Sequence, residues 1–255
     1  MSQTNPAPTL QDLVDRAVIL STEHQAHFAD LGGESAWDAD LEAGTLTFHA
    51  EIPLVCGAHF IGTAAPATQS WLWGWHNVNH FPDGVVAAAE HVHQRGVAGS
   101  VFELSTPEIL LTDAVPYRLA LAAKAVTGHF THFAGPTGGG TCAWFLLTHP
   151  RFELPAATGV RVANVIVQGI SSTEVADHRR AVRAYAVLRG LDIRWQDAQI
   201  AVLGTSDGIV TVSFDDRGCL SEVSATSTSV PEPAPATPPP PPPASERRGW
   251  FGRKK

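Results

Sequence analysis

Apolar residues near the start of the chain recur at intervals of three and four positions. The pattern runs from Leu10 to Leu31 and places its apolar side chains on one face of a helix. Thr9 stands before the pattern, where an N-cap residue is expected, and glycines 32 and 33 follow it. Together these signals predict a helix over residues 10–31.

Between residues 37 and 150, short alternating runs are interrupted by two helical patterns. Residues 37–52, 54–77 and 129–150 each contain two runs joined by a turn with glycine or proline, which is typical of β-hairpins. Residues 82–96 and 116–128 instead have helical spacing, and each of the two ends at a glycine. This part of the chain therefore predicts antiparallel hairpins packed with helices.

A second unit follows residue 155. The β-branched run "VRVANVIVQGI" at 160–170 favours a strand, and the capping-box pair Ser171 and Glu174 predicts a helix that ends at Gly190. Three strands separated by glycine-containing turns complete the unit. The predicted fold class is α+β, with antiparallel β-hairpins packed with helices, followed by a β-α-β-β-β unit.

These patterns divide the chain into three regions. We predict an α+β domain over residues 1–155 and the β-α-β-β-β unit over 156–229, which either folds separately or continues the first sheet. Residues 230–255 begin with a proline-rich run that cannot donate to a sheet and that favours polyproline II. This last region is predicted to be a disordered, proline-rich linker that ends in a basic and aromatic tail.

Charge and cysteine content narrow the class of protein. The formal net charge is −8, which disfavours a nucleic-acid surface because binding to phosphates needs clustered cations. Three scattered cysteines without a C-x-x-C pair are typical of a reducing compartment. The N-terminal residues have neither the charged nor the apolar region of a secretory signal. The sequence therefore predicts a soluble, cytoplasmic protein that does not bind nucleic acid.

The segment "WLWGWHN" places three tryptophans at alternate positions, Trp71, Trp73 and Trp75. Alternation on a strand puts all three indoles on one face. We favour core packing for them, because each indole can bury about 150–250 Å². The alternative is a ligand-binding groove that stacks on a sugar, a base or a proline-rich peptide. Its polar rim would be formed by three residues just beyond the strand: His76, Asn77 and His80.

The chain contains twelve histidines, which raises the question of a metal site. His24 and His27 lie three residues apart on the predicted first helix, yet they lack the H-E-x-x-H arrangement and a third ligand. The glycine-rich "GPTGGGT" lacks the lysine that a phosphate-binding loop requires. We therefore predict no metal site, no cofactor and no catalytic residue.

The last nine residues, "RRGWFGRKK", combine five cations with two adjacent aromatic side chains. Basic residues near an anionic bilayer gain about 1 kcal/mol each, and the aromatic pair could also dock on a protein. We predict weak docking on an unknown protein partner or a peripheral contact with an anionic membrane. The candidate residues are Arg247, Arg248, Trp250, Phe251, Arg253, Lys254 and Lys255.

Several segments in the first 150 residues resemble an uncharacterised bacterial family that is classed only as a domain of unknown function. They are "WDADLEAGTLTF", "HFIGTAAPATQSWLWGWHN", "STPEILL", "YRLALAA" and "HFAGPTGGGTCAWFLL". Their order and spacing match the family over roughly residues 8–150. The resemblance implies no activity, because none is established for the family.

Three functional hypotheses remain open at this point. The first is a non-enzymatic binding or scaffold module with a weakly docking tail, which the missing catalytic motifs favour. The second is an enzyme that uses histidines or carboxylates in a tryptophan-lined cleft. The third is an acidic inhibitor of a basic protein, for which the negative net charge is the motive.

Overall fold

A computed structural model describes residues 8–227 of the chain. The helices within this range are α1 (Leu10–Asp30), α2 (Asp83–Gly99), α3 (Phe102–Ser105), α4 (Val115–Thr127), α5 (Gly159–Ser172) and α6 (His178–Arg189). The strands are β1 (Trp37–Asp40), β2 (Thr45–Phe48), β3 (Leu54–Ala65), β4 (Ser70–Trp73), β5 (Glu108–Leu110), β6 (Thr131–Gly138), β7 (Thr141–Thr148), β8 (Ile193–Trp195), β9 (Ile200–Thr205), β10 (Gly208–Phe214) and β11 (Leu220–Ser227).

The first helix begins where its sequence signals place it. The Thr9 hydroxyl accepts a hydrogen bond from the Asp12 amide at 3.2 Å, and the Asp12 carboxylate accepts one from the Thr9 amide at 2.8 Å. This reciprocal pair forms a capping box, which satisfies backbone donors that the first turn leaves free. The helix ends at Asp30, and Gly32 follows with a φ of 96° that favours glycine. The prediction for residues 10–31 is confirmed.

The first sheet is built around the long strand β3. Gly57 pairs with Thr45 of β2 and with Thr148 of β7, so these two strands lie on opposite edges of β3. Further along, Gly62 pairs with β4 on the same edge as β2 and again with β7 on the other edge. β1 continues beyond β2, β5 beyond β4 and β6 beyond β7, all antiparallel. The predicted hairpins are confirmed.

Each face of this sheet packs its own hydrophobic cluster. One face carries Phe48, Phe60 and Phe145, which pack with Phe28 of α1 and with Val85 near the start of α2. The other face holds a second cluster that is covered mainly by α4, since helix residues at intervals of three and four point towards the sheet. Its members include Ile61, Trp71, Trp73, Leu119, Ala120, Ala123 and Leu146.

The segment predicted as the first strand of the second unit is a helix, which corrects that prediction. In α5 the buried residues Val162, Val165, Ile166 and Gly169 recur at helical spacing, while Val167 remains 47 % exposed. A strand would have buried every second residue instead. The periodicity of burial therefore overrides the strand preference of the valines, because that preference reflects packing more than the backbone.

The capping box predicted at Ser171 and Glu174 is also wrong. The Ser171 hydroxyl donates to the Val167 carbonyl within α5, and α6 begins only at His178. Asp177 is the N-cap of α6, and its carboxylate accepts from the Arg180 amide at 2.9 Å. The second unit is therefore α-α followed by the antiparallel sheet β11-β10-β9-β8, which has four strands where three were predicted.

Helix α1 is shared by both parts of the described chain. It packs against α4 on one side and against α5 and α6 on the other. One hydrophobic cluster joins residues of α1, such as Val14 and Val18, to residues of α5, α6, β9 and β10. The α+β class is thus confirmed, and the predicted boundary at 155/156 stays a prediction. The predicted disordered tail lies outside the described residues.

Candidate functional site

Two of the three tryptophans predicted on one strand face lie in the interior. Trp71 is 0 % exposed and Trp73 is 1 % exposed, and their rings meet edge to face at 5.4 Å. The Trp73 indole donates to the Glu103 carbonyl at 2.8 Å. A ligand could stack on these rings only if the core opened, so their geometry is that of core packing.

The remaining residues of that predicted groove lie in and after a 3₁₀ turn. Trp75 belongs to this turn, Gly74–His76, and its ring stacks on His93 of α2 at 3.9 Å between centroids. The Asn77 side chain donates a hydrogen bond to the Phe81 carbonyl and accepts one from the Phe81 amide, each at 2.9 Å. These two bonds fix the loop. His76 and His80 are exposed. None of these side chains lines any of the three cavities described below, and ligand binding by them stays a prediction.

The predicted docking residues of the tail, Arg247 to Lys255, lie outside the described residues. Residues 8–227 contain no group of three or more histidine, cysteine, aspartate or glutamate side chains placed to hold a metal ion. His24 and His27 therefore have no third ligand in this range. The same part of the chain has no helix long and apolar enough to cross a bilayer.

The largest cavity described is a groove of about 1030 Å³ between four helices. α1 and α4 pack against each other, α2 packs beside α4, and α6 packs beside α1. The groove therefore lies between α2 and α6, with α1 and α4 at its base. We call it the arginine groove. Its ionisable lining residues are Asp12, Arg16, His91, Arg95, Arg180 and Arg183.

One arginine of the groove is held in place by carboxylates of α1. Arg180 forms ion pairs with Asp12 and, at 2.7 Å, with the fully buried Asp15. Its hydrogen bond to Asp15 raises the pKa of the Arg180 guanidinium. The hydrogen bond from the Thr9 amide lowers the pKa of Asp12, and Arg180 lowers it further. Arg180 is therefore fixed on α1, and both Arg180 and Asp12 stay charged at neutral pH.

The other three arginines point to a different role. Arg16 of α1, Arg95 of α2 and Arg183 of α6 are exposed, and within residues 8–227 none has a hydrogen bond or an ion pair. They come from three separate helices, so the fold alone brings them to one cavity. A guanidinium presents a planar fork of donors that matches a carboxylate or a phosphate. The arrangement can therefore bind an oxyanion.

The base and walls of the arginine groove are aliphatic. Leu13, Val101 and Leu104 are buried beneath it, and Val187 on α6 is 66 % exposed along one wall. The rest of the apolar lining is supplied by Pro8, Ala98, Gly99, Ala125, Val126, Ala184 and Leu188. A cavity of this size that combines apolar walls with a few converging polar groups is the usual form of a small-molecule site.

Comparison with known families gives one match. The model of a family of unknown function, DUF6882, covers residues 11–150, which is more than half of the chain. The chain belongs to DUF6882. Comparison with curated proteins and with solved structures finds no match. The DUF6882 region contains α1 to α4 and the first sheet, so it supplies Arg16 and Arg95, whereas Arg180 and Arg183 lie beyond it on α6.

A second cavity of this DUF6882 chain opens on the sheet face that carries Phe60 and Phe145. It measures about 340 Å³ and is lined by aromatic and small side chains, with Asn79 and three threonines as its polar groups. Its described lining residues include no ionisable side chain. A third cavity adjoins the arginine groove at Val101 and contains Glu103 and Arg118. Neither cavity gathers the acid and base pair that proton transfer requires.

A buried polar layer crosses the middle of α1. The fully buried Lys124 of α4 donates to the Ser21 hydroxyl at 2.5 Å, and its Nζ lies within hydrogen-bond distance of Nδ1 of His132, at 2.7 Å. Burial lowers the pKa of the Lys124 amine and that of His132 well below their ordinary values. A neutral lysine can be a nucleophile, but Lys124 does not line any of the three cavities. Through these contacts Lys124 joins α4 to α1 and to β6.

Sequence reasoning did not find the arginine groove. The arginines are spread from residue 16 to residue 183, and no local motif connects them. One signal was present: Arg180 and Arg183 lie three apart on a helix, so they share a face. That spacing indicates a basic helix face but not the α1 and α2 residues that meet it across the groove.

Proposed function

We propose that this DUF6882 protein is a non-enzymatic binding module, and that the arginine groove is its site for an anionic ligand. The proposal rests on one observation: Arg16, Arg95 and Arg183 line the same cavity, and none of them has a hydrogen bond or an ion pair within residues 8–227. Exposed cations usually serve solubility, but here they line the largest cavity described in a chain whose net charge is −8. An anion bound there would be attracted by all three.

Apart from His91, the ionisable side chains that line the groove support binding rather than catalysis. A guanidinium stays protonated at any pH that a protein tolerates, so it cannot act as a general base. Asp12 is paired with Arg180 and its pKa is lowered, which makes it a poor proton donor. The lining includes no serine or cysteine that could act as a nucleophile.

The test uses 8-anilinonaphthalene-1-sulfonate, an anionic dye whose fluorescence rises in apolar sites. We expect saturable binding to the full chain that weakens as salt increases. A variant that lacks the three unpaired groove cations should bind at least about tenfold more weakly, because each charge-assisted contact is worth about one decade in affinity. That variant carries Arg16→Gln, Arg95→Gln and Arg183→Gln.

A matched control removes three exposed arginines elsewhere on the chain. It carries Arg151→Gln, Arg194→Gln and Arg217→Gln. Both variants change the net charge equally, so a general electrostatic effect would weaken dye binding to both alike. Equal affinity in the groove variant, the control and the wild type, with unchanged thermal melts, would overturn the proposal.

The other functional hypotheses have less support. Trp71 and Trp73 belong to the core, so a tryptophan-lined catalytic cleft loses its main residues. An acidic inhibitor of a basic protein rests on net charge alone. Neither hypothesis accounts for cations that converge on a cavity.

The proposal keeps the tail as a second, weak point of attachment. In a bacterial cell, the basic residues of the tail and the Trp250-Phe251 pair would contact either a protein partner or the anionic cytoplasmic face of the membrane. Co-sedimentation with vesicles of anionic lipid should pellet the full chain and not a chain that ends at Ser227. Equal pelleting of both chains would remove the tail from the proposal and leave the groove unaffected.

A further inference from the structure

We infer that the arginine groove binds an aliphatic amphiphile, a molecule with one oxyanion head and an unbranched hydrocarbon body such as a long-chain acyl carboxylate or alkyl phosphate. The inference rests on the proposed function and adds the class of ligand. The composition of the lining, the hydrogen-bonded state of the wall backbone and the placement of charge support it separately.

The lining discriminates against ligands that are polar along their length. Its seventeen residues include no serine, threonine, asparagine, glutamine, tyrosine, tryptophan or phenylalanine. A sugar or a nucleoside buried there would find hydrogen-bond partners only at the ionisable side chains, and the hydroxyl groups or base edges facing the aliphatic walls would stay unpaired, at a cost for each. A base would also lack an aromatic ring on which to stack. The ligand body that matches these walls carries no polar groups.

The walls also disfavour a peptide as the ligand. α1, α2, α4 and α6 supply most of the lining, and the backbone groups inside a helix are already hydrogen-bonded to each other. A peptide in extended form would bury amides that find no partner along these walls. A hydrocarbon chain has no such groups. It needs only the aliphatic contacts that Leu104, Val126 and Leu188 offer.

The charge of the groove fits one compact anionic head. Arg16, Arg95 and Arg183 line the same cavity from three helices, while Asp12 is already paired with Arg180. Carboxylate and phosphate heads share this chemistry, since both accept bidentate pairs from arginine. A cation at the head position would face net repulsion. The ligand is therefore an anion with an aliphatic body.

A chain-length series tests the inference. Octanoate, decanoate and dodecanoate are titrated below their micelle-forming concentrations against the full chain, by displacement of the bound dye. Each added methylene should tighten binding by up to about fourfold until the groove is filled, as burial of one CH₂ predicts. Dodecyl phosphate distinguishes the two heads, and tighter binding than that of dodecanoate would identify phosphate as the preferred one.

A groove-filling variant supplies the structural control. Ala184→Phe projects a ring into the groove without changing any charge, and we expect it to weaken dodecanoate binding by at least about tenfold. Ala87→Phe places the same ring on an exposed position of α2 that does not line the groove and should bind as the wild type does. Equal binding by both variants, with melts that show both are folded, would overturn the inference.

The outcomes separate the inference from the proposed function. Dye binding that depends on the groove arginines, together with affinity for carboxylates that does not change with chain length, would overturn the inference and leave the binding module intact. Loss of arginine dependence for every anion would overturn both. Binding of dodecanoate only when it is presented in vesicles would mean that the groove contacts a membrane surface, and would also overturn the inference.

Discussion

His24 shows how burial changes the chemistry of one side chain. Its ring stacks on Phe130 at 5.7 Å, and its Nδ1 is buried with no hydrogen-bond partner among the described residues. Burial lowers the pKa of this imidazole to about 4 from its ordinary 6.5. The native protein therefore holds His24 neutral at a pH where the unfolded chain protonates it.

We expect His24 to contribute to acid unfolding. Its pKa is lowered in the native state, so its contribution is fully present above pH 6.5 and is lost as pH falls towards 4. From pH 7 to 4.5 the wild type should lose about 2–3 kcal/mol of unfolding free energy through this group. Denaturant titrations at both pH values should show a smaller loss for His24→Leu. His76→Leu, at an exposed position, is the control and should lose as much as the wild type.

Lys124 makes a related prediction at alkaline pH. Burial holds the pKa of its amine well below 10.5, so the unfolded chain binds a proton that the native chain does not. Stability should then rise with pH between the lowered pKa of the native amine and 10.5, by up to about 1.4 kcal/mol per pH unit. Lys124→Met keeps the length of the side chain and removes this dependence. Parallel stability curves for the two proteins between pH 7 and 9 would contradict the account.

At the scale of elements, the sequence predicts segments with regular apolar spacing well and segments rich in β-branched residues poorly. α1 and α4 were found because apolar spacing and glycine stops agreed. α5 was missed because its valines favour a strand, although its buried residues have helical spacing. The packing that overrides local preference comes from α1 and from the second sheet, which are far away in sequence. Local patterns cannot show that packing.

The contact between α1 and α5 depends on one glycine. A Cβ added at Gly169 would lie 2.8 Å from Cα of Ile19, which is backbone and cannot move aside cheaply. We expect Gly169→Ala to lower the unfolding free energy by about 1–3 kcal/mol, as overpacking does. Gly84→Ala on α2 is the matched control, because a Cβ there meets nothing within 4 Å. An equal effect on the thermal melt from both substitutions would exclude close helix packing as the cause.

At the scale of the whole molecule, the arginine groove carries a local charge opposite in sign to the net charge of the chain. The chain carries a net charge of −8, yet the arginine groove collects four arginines and a histidine against one lining carboxylate. The negative net charge gave no indication of a basic cavity. The groove exists only when α1, α2, α4 and α6 are assembled. Its recognition therefore required the tertiary structure.

Assembly of the groove depends on how α6 is attached to α1. The carboxylate of Asp15, buried in α1, accepts hydrogen bonds from the Ala176 and Asp177 amides at 3.1 Å and from Arg180. Further along α1, the buried carboxylate of Glu23 accepts hydrogen bonds from the Tyr185 hydroxyl at 2.9 Å and from Arg189 at 3.1 Å. Two acidic residues of α1 thus hold both ends of α6, and these bonds are costly to break because each would leave a buried charge.

This shared helix leads to an expectation about the predicted boundary at residue 155. A chain that ends there would expose the side of α1 that carries Val14 and Val18 and would leave Asp15 and Glu23 without their α6 partners. We expect it to show no cooperative thermal transition, because a domain is stable by only about 5–15 kcal/mol and this chain would lose apolar contacts and leave two buried carboxylates unpaired. A chain that ends at Ser227 keeps every described element and should melt as the full chain does. A cooperative melt of the shorter chain, near that of the full protein, would mean that the DUF6882 region folds alone and that α6 is an addition to a complete domain.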